Sequence, residues 1–514
     1  MPTGRSIGRQ LAGIALVAAA LGPRAAAQPV LLHGTSADLQ QTLSVSTYAG
    51  TVPATVAPVE LSGQTLVLVL PDAIAPDRKD GVRTDIQSFF QRGDMKDMRL
   101  AVLAGQEFSQ EDAFRTRAQL QAALRRAFSG PPPEGPYPAA KFYNWLAHTA
   151  AQFGNQWSSV VLIGAAPDVD PALREYATAY VASRFQAQKV RISYWNPDGQ
   201  NPGWFGDVCR ATGGALLANG LQDLSTPAPD GTIWREIAWQ PPTQVRGFLL
   251  YRARLTMGAG GAPVEFPAAV VRTGTELPDL DAYAAMRQSI ETARRLAGEA
   301  KPTEEQAGQI RTELLQAMRV NPSEPDALRL AADFYARFND YATAAQFLAI
   351  MAETSPKDGA LLAELGHAHF VAKQLPDAEA VLIRAHEAGA DGARVAEELA
   401  RIHLSRSDDA GAMPFLDESL KKDGKQAPLW FLRADAAGRL NDWKMQAGSL
   451  ERGLELDGQL DRRTALVRLY LDRKENDQAL RHVKLVTAAL PDDPKVATTY
   501  AEFLDELGKP DDAL

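Results

Sequence analysis

The sequence predicts two architectures in series: an α/β domain on a doubly wound parallel sheet with a small β appendage, then a C-terminal all-α repeat superhelix. Three observations carry that prediction. Short apolar, β-branched runs alternate with helical patterns between residues 59 and 224. A second β-rich stretch, with alternation and a glycine-rich break, fills 225–275. From 285 to 514 the strand signals stop, and particular residues recur at a spacing of 34.

At the N-terminus Arg5 and Arg9 precede an apolar run over 11–21, followed by Gly22-Pro23-Arg24 and Ala25-Ala26-Ala27 before Gln28. A basic start, a short apolar stretch and a small-residue site read as a signal peptide, residues 1–27, cleaved after Ala27. The run is little more than half of the roughly 20 apolar residues that a bilayer span needs. The expectation is a periplasmic or secreted protein with no membrane span. Cys209 is the single cysteine, so no intramolecular disulfide is expected and its thiol should be a buried apolar group. Net charge is −9 and the pI is near 5.5, with no basic cluster to follow a phosphate backbone. That balance excludes nucleic acid as a partner.

Residues 28–58 read as an N-terminal β segment, with alternation at Leu43-Ser44-Val45-Ser46. The α/β domain, 59–224, opens on Thr65-Leu66-Val67-Leu68-Val69-Leu70, a continuous apolar run that fits a strand buried on both faces of a parallel sheet. Further strands are expected over 98–103, 160–163, 190–195 and 215–217, and helices over 84–90, 114–128, 141–153 and 172–185.

Two places resemble the von Willebrand factor type A domain. One is the opening strand ending at Pro71-Asp72; the other is Asp207-Val208-Cys209-Arg210-Ala211-Thr212-Gly213-Gly214-Ala215, a helix running into a Thr-Gly-Gly turn and a strand. The resemblance implies a metal-ion-dependent site at the carboxyl ends of the strands, whose first loop supplies Asp-x-Ser-x-Ser because a hard cation takes oxygen ligands. Here that loop is Asp72-Ala73-Ile74-Ala75-Pro76, and Ile74 and Pro76 offer no side-chain oxygen. The usual second aspartate is missing from Ile163-Gly164-Ala165-Ala166. Asp72 and Thr84 are the only weak candidates left from that pattern, so neither metal nor cofactor is expected. Asp168 and Asp170 precede Pro171 and are expected to cap a helix.

In 225–275, Leu249, Tyr251, Ala253 and Leu255 alternate with Leu250, Arg252 and Arg254, and Gly258-Ala259-Gly260-Gly261 separates them from Val264-Glu265-Phe266. That is a hairpin signal, expected to pack on the α/β domain as an appendage.

Beyond 285, Asn339-Asp340-Tyr341 returns as Asn441-Asp442-Trp443 three periods of 34 later. The same spacing links Ala332, Gly366, Ala400 and Ala434, then Tyr335, His369 and His403, and then Leu348, Leu382, Leu416 and Leu450. A unit one residue shorter places Tyr470 and Ala479 in register. This pattern resembles tetratricopeptide repeats, and the resemblance implies stacked helix pairs with a concave groove. It also implies groove positions on the first helix of each repeat: Arg329, Asp333, Arg337, His367, Phe370, Arg401, Phe431, Asp435, Arg439 and Arg468. Arginines interleaved with exposed aromatics would suit an extended acidic peptide with apolar anchors.

No Gly-x-Ser-x-Gly elbow, phosphate-binding glycine loop or His-Glu-x-x-His pair occurs. His367 and His369, two apart on a helix, face about 200° from one another and do not converge on one ion. The functional expectation is a non-catalytic protein–protein interaction scaffold of the bacterial cell envelope, taking other envelope or secreted proteins in the repeat groove and docking through the α/β platform. The rival is a metal-dependent adhesion or ligand receptor using the crevice beside Asp72. The residues from Lys509 to Leu514 align with Gln374 to Glu379, where a second helix begins, so the helix over 495–507 is expected to present an apolar face open to self-association.

Overall fold

The structure, a computed structural model, describes residues 25–27, 30–34, 43–47, 50–58, 64–70, 77–91, 99–104, 117–129, 138–150, 157–164, 166–187, 190–199, 203–224, 233–239, 245–257, 264–272, 275–298, 302–390, 392–489, 494–506 and 508. The chain divides into two compact units. The first takes Met1–Phe334 with Glu353–Ser355, and the second takes Tyr335–Ala352 with Pro356–Leu514.

Among the described residues the first unit holds two sheets. One is four-stranded and parallel, built from β5 (Gln64–Leu70), β6 (Arg99–Ala104), β7 (Trp157–Ile163) and β8 (Val190–Trp195) in the order β6-β5-β7-β8. Between these strands run α1 (Lys79–Phe89), α2 (Arg117–Ser129), α3 (Ala139–Ala150) and α4 (Arg174–Ala187), within a few residues of the predicted helices. After α5 (Phe205–Ala211) the expected last strand shrinks to a single parallel bridge, Tyr194 to Leu216. Leu68, Val82, Ile86, Phe89, Leu124, Val161 and Ile163 form the core. Cys209 is fully buried, which pushes its thiol up, as an inert apolar group requires.

The Thr-Gly-Gly turn is built by close approach. The Thr212 hydroxyl accepts from Ile192 N–H at 3.0 Å and donates to Val208 C=O at 2.9 Å. Gly213 has φ 74°, and a Cβ on Gly214 would lie 1.6 Å from the Ile192 carbonyl oxygen, so only glycine fits there. Asp170 accepts from Ala172 N–H, and Asp168 pairs with Arg174. Asp170 thus caps as its placement before Pro171 predicts, whereas Asp168 is held by the Arg174 guanidinium and caps no helix. Thr84 is exposed in the middle of α1 with its hydroxyl donating to Asp80 C=O at 2.8 Å. Asp72, Ile74 and Pro76 lie outside the described residues.

The second sheet departs from the sequence expectation. Segments 28–58 and 225–275 were expected to be separate, but their strands interleave in one sheet, joined at its edge by Ala25–Ala27 from the expected leader, in the order β1-β11-β10-β3-β4-β9-β2. The strands are β1 (Ala25–Ala27), β2 (Val30–Gly34), β3 (Leu43–Thr47), β4 (Gly50–Pro58), β9 (Ile233–Trp239), β10 (Phe248–Met257) and β11 (Val264–Arg272). All pairs are antiparallel. β4 pairs β3 along its first half and β9 along its second. The expected β10–β11 hairpin is present, but it is part of this larger sheet, and the α/β element lies between the sheet's two sequence halves.

Helices α6 (Leu280–Ala297) and α7 (Glu304–Val320) also belong to the first unit, so its compact boundary falls well beyond residue 285. Then follow α8 (Pro325–Arg337), α9 (Tyr341–Thr354), α10 (Gly359–Val371), α11 (Leu375–Glu387), α12 (Gly392–Ser405) and α13 (Asp409–Lys422). The array continues with α14 (Ala427–Arg439), α15 (Trp443–Leu456), α16 (Leu460–Asp472), α17 (Asn476–Ala489) and α18 (Pro494–Glu506). No helix among the described residues is long and apolar enough to cross a membrane.

The second unit is an all-helical repeat array, and its period is visible in the backbone. Asn339, Lys373, Ser407, Asn441 and Lys474 each have φ near 60°, at the 34-residue spacing with one step of 33. Each ends a first helix. The amide after it bonds back to the carbonyl five residues earlier, as Gln374 N–H to His369 C=O and Asp408 N–H to His403 C=O, the Schellman closure. That same next residue starts the second helix: Asp340, Asp408 and Asp442 accept from the N–H of Thr343, Gly411 and Met445.

Candidate functional site

Within the second unit the first helices α10, α12, α14 and α16 carry the expected groove positions. The small-residue column explains their approach to the second helices: Gly366, Ala400 and Ala434 are buried, and a Cβ on Gly366 would come within 2.6 Å of the Leu382 side chain. His367, Arg401, Asp435 and Arg468 occupy one repeat position, and all are half-buried or exposed. Arg329 and Asp333 belong to the first unit, on the part of α8 before Tyr335, and Arg337 is exposed at that helix's end.

Most of these side chains are already engaged within the protein. His367 Nδ1 lies 2.5 Å from Oε1 of Glu398, a buried acid on α12. Arg401 pairs with Glu397 one turn earlier at 2.8 Å. Asp435 takes both arms of Arg462 on α16. Arg439 clamps Asp409 at 2.7–2.9 Å, and this carboxylate holds the guanidinium above its ordinary range. Among the described residues, Arg468 is exposed and makes no ion pair.

Phe431, expected as an exposed anchor, is only 4 % exposed. Gly453 on α15 leaves the space: a Cβ there would meet the Phe431 ring at 2.5 Å, and the Arg462 guanidinium covers the ring at 5.4 Å from its centroid. The signal available in the sequence was that glycine opposite an aromatic. Phe370 keeps part of its ring exposed, with Lys373 Nζ 5.8 Å from its centroid. The surface therefore differs from the simple row of free arginine forks and open rings that suits an acidic peptide. It is a face of internally matched charges with Phe370, Leu404 and Leu471 partly open beside them.

Among the described residues no group of three or more His, Cys, Asp or Glu side chains is placed to hold a metal ion.

No protein-family model matches the chain, and no curated protein does. Solved structures similar to it include PilF of Pseudomonas aeruginosa, at 17% identity and TM-score 0.30, covering 43% of this chain and 99% of that one. YrrB, described as a tetratricopeptide-repeat protein with an unusual peptide-binding site, gives 15% and 0.31 over 37% and 97% of the two chains. A tetratricopeptide repeat protein from Parabacteroides merdae gives 17% and 0.28 over 36% and 74%. At such scores the likeness adds nothing to the geometry, which by itself makes the second unit an array of helical repeats.

Proposed function

We propose that this protein is a non-catalytic interaction scaffold of the cell envelope that takes an extended segment of a partner protein along the first helices of its repeats. The observation that carries the proposal is the single repeat position filled by His367, Arg401, Asp435 and Arg468 on α10, α12, α14 and α16, within solvent reach each time. Links between neighbouring first helices, His367 to Glu398 and Arg462 to Asp435, hold that face in one arrangement and lower the ordering cost of binding. The matched charges favour a partner segment of mixed charge with apolar side chains over a purely acidic one. The envelope assignment rests on the leader-like residues 1–27, and the four-stranded parallel sheet is read as a von Willebrand factor A-like, doubly wound docking platform.

Photo-crosslinking amino acids at 401 and 468, compared with 383 and 456 on second helices, test the groove. Crosslinks to a partner are expected from the first pair alone. With the captured segment in hand, Arg401→Ala with Arg468→Ala should weaken binding by about tenfold while leaving the fold intact, since exposed substitutions usually change stability by less than about 0.5 kcal/mol. Crosslinks from 383 and 456 alone would refute the groove.

A further inference from the structure

The joint between the last repeats holds an imidazole whose surroundings fix its charge. His482 on α17 is 7 % exposed. Its Nδ1 lies 3.3 Å from Nη1 of Arg463 on α16. A guanidinium only donates, so Nδ1 is the acceptor and the ring's single proton sits on Nε2. Nε2 faces Oε1 of Glu451 on α15 at 3.7 Å, an oxygen that already accepts the Tyr470 hydroxyl at 2.7 Å. The Tyr470 ring lies at 24° to the imidazole with centroids 6.1 Å apart. Arg481, next to His482 on α17, adds a second positive charge. From α18 the surrounding cluster receives Phe503 and Tyr500. A proton added to Nδ1 would remove the acceptor of Arg463 and set two cations against each other in a buried site.

We propose that His482 is an acid-operated release for the C-terminal end of the repeat array, protonation of its ring unstacking α17 from α15 and α16. Burial first, and then Arg463, hold the imidazole below its ordinary value of 6.5. The opened state therefore binds the proton more readily than the closed one. The stability contributed by the neutral ring is present above about pH 6.5 and is lost progressively as pH falls below it toward the lowered value of the closed state. The neighbouring rings differ: His386 faces Glu418, His403 faces Asp408, and His369 faces the neutral Gln374 amide. None of these accepts from a guanidinium among the described residues.

Hydrogen exchange of the full chain at pH 7.5 and 5.5, corrected for intrinsic rates, reads the release directly. Amides of α16 and α17 are expected to lose protection at pH 5.5 by up to about tenfold, the most that one imidazole of ordinary value 6.5 can supply between these pH values, while α10 to α13 hold theirs. His482→Gln keeps an acceptor for Arg463 and does not titrate, so its α17 should be equally protected at both pH values. Arg463→Gln removes the opposing cation and should shrink the acid effect. An acid effect of undiminished size in both variants, or one spread evenly over α10 to α17, overturns the proposal. If His482→Gln is open at both pH values, Arg463→Gln alone decides: an acid effect as large as in the unsubstituted chain rejects the release.

Discussion

Asn321 uses every hydrogen-bonding position of its amide. Oδ1 accepts from Phe248 N–H and Ser323 N–H, both at 3.1 Å, and Nδ2 donates to Phe248 C=O at 3.0 Å and Glu324 Oε2 at 3.1 Å. Among the described residues β3 pairs β10 over Arg254 to Met257, and at Phe248 the Asn321 side chain takes the place of a strand partner. Asn321 is 1 % exposed, and a Cβ on Gly247 would lie 2.4 Å from its Oδ1, so the glycine lets the backbone approach this closely. Asn321→Ala strands the Phe248 amide and carbonyl and should destabilise the first unit by about 2–4 kcal/mol in urea unfolding. Asn321→Asp, nearly the same shape, should cost as much, because a carboxylate donates nothing and faces both the Phe248 carbonyl and Glu324. A near-neutral Asn321→Asp would show that shape, not donation, holds the site. Such a residue is not legible from sequence: an asparagine before Pro322 reads as a helix stop, and its partner lies 73 positions away. The groove residues share this difficulty. Register placed His367, Arg401, Asp435 and Arg468 on one face, but His367 and Asp435 are matched by partners 31 and 27 residues off, which no local pattern reveals.

At the scale of elements, the repeats were the most legible part because each is specified locally. The closing turn of every first helix needs one left-handed residue, and the following residue must both complete that turn and cap the next helix, which Asn339-Asp340 and Asn441-Asp442 do with suitable chemistry. Lys474 and Ser407 occupy the same conformation without glycine's freedom or asparagine's tolerance of it. Left-handed backbone costs an ordinary residue roughly 1–2 kcal/mol, partly offset by glycine's greater entropy when unfolded, so Lys474→Gly and Ser407→Gly should each stabilise the array by about 0.5–1 kcal/mol. Asn441→Gly should change it less. Thermal or urea midpoints decide the order, and a loss of stability in both glycine variants would mean that these turns are not strained. The strands of the α/β sheet were legible for a similar reason, since a strand buried on both faces leaves an unbroken apolar run such as 65–70.

At the scale of the whole molecule the least legible feature is the seven-stranded sheet, because its halves lie on either side of the α/β domain and pairing across such a separation leaves no periodic trace. Local alternation identified β3, β10 and β11 as strands, yet nothing local says that β4 pairs with β9 or β2 with β9. The consequence is testable by choosing where the chain starts. Beginning at 28 removes only the three residues of β1 from an edge, and the protein should remain folded and dispersed. Beginning at 59, the boundary that composition suggests, removes β2, β3 and β4. β9 then loses both of its partners and β10 loses β3. Ile233-Trp234-Arg235-Glu236-Ile237-Ala238-Trp239 would be a strand-prone segment with two open edges, the condition that invites pairing between chains. The 59–514 chain should therefore retain the helical repeats by circular dichroism but elute as a broad oligomer, whereas 28–514 elutes at its own size. If 59–514 were monomeric, and as stable to urea as 28–514, the N-terminal strands would not be part of the same sheet.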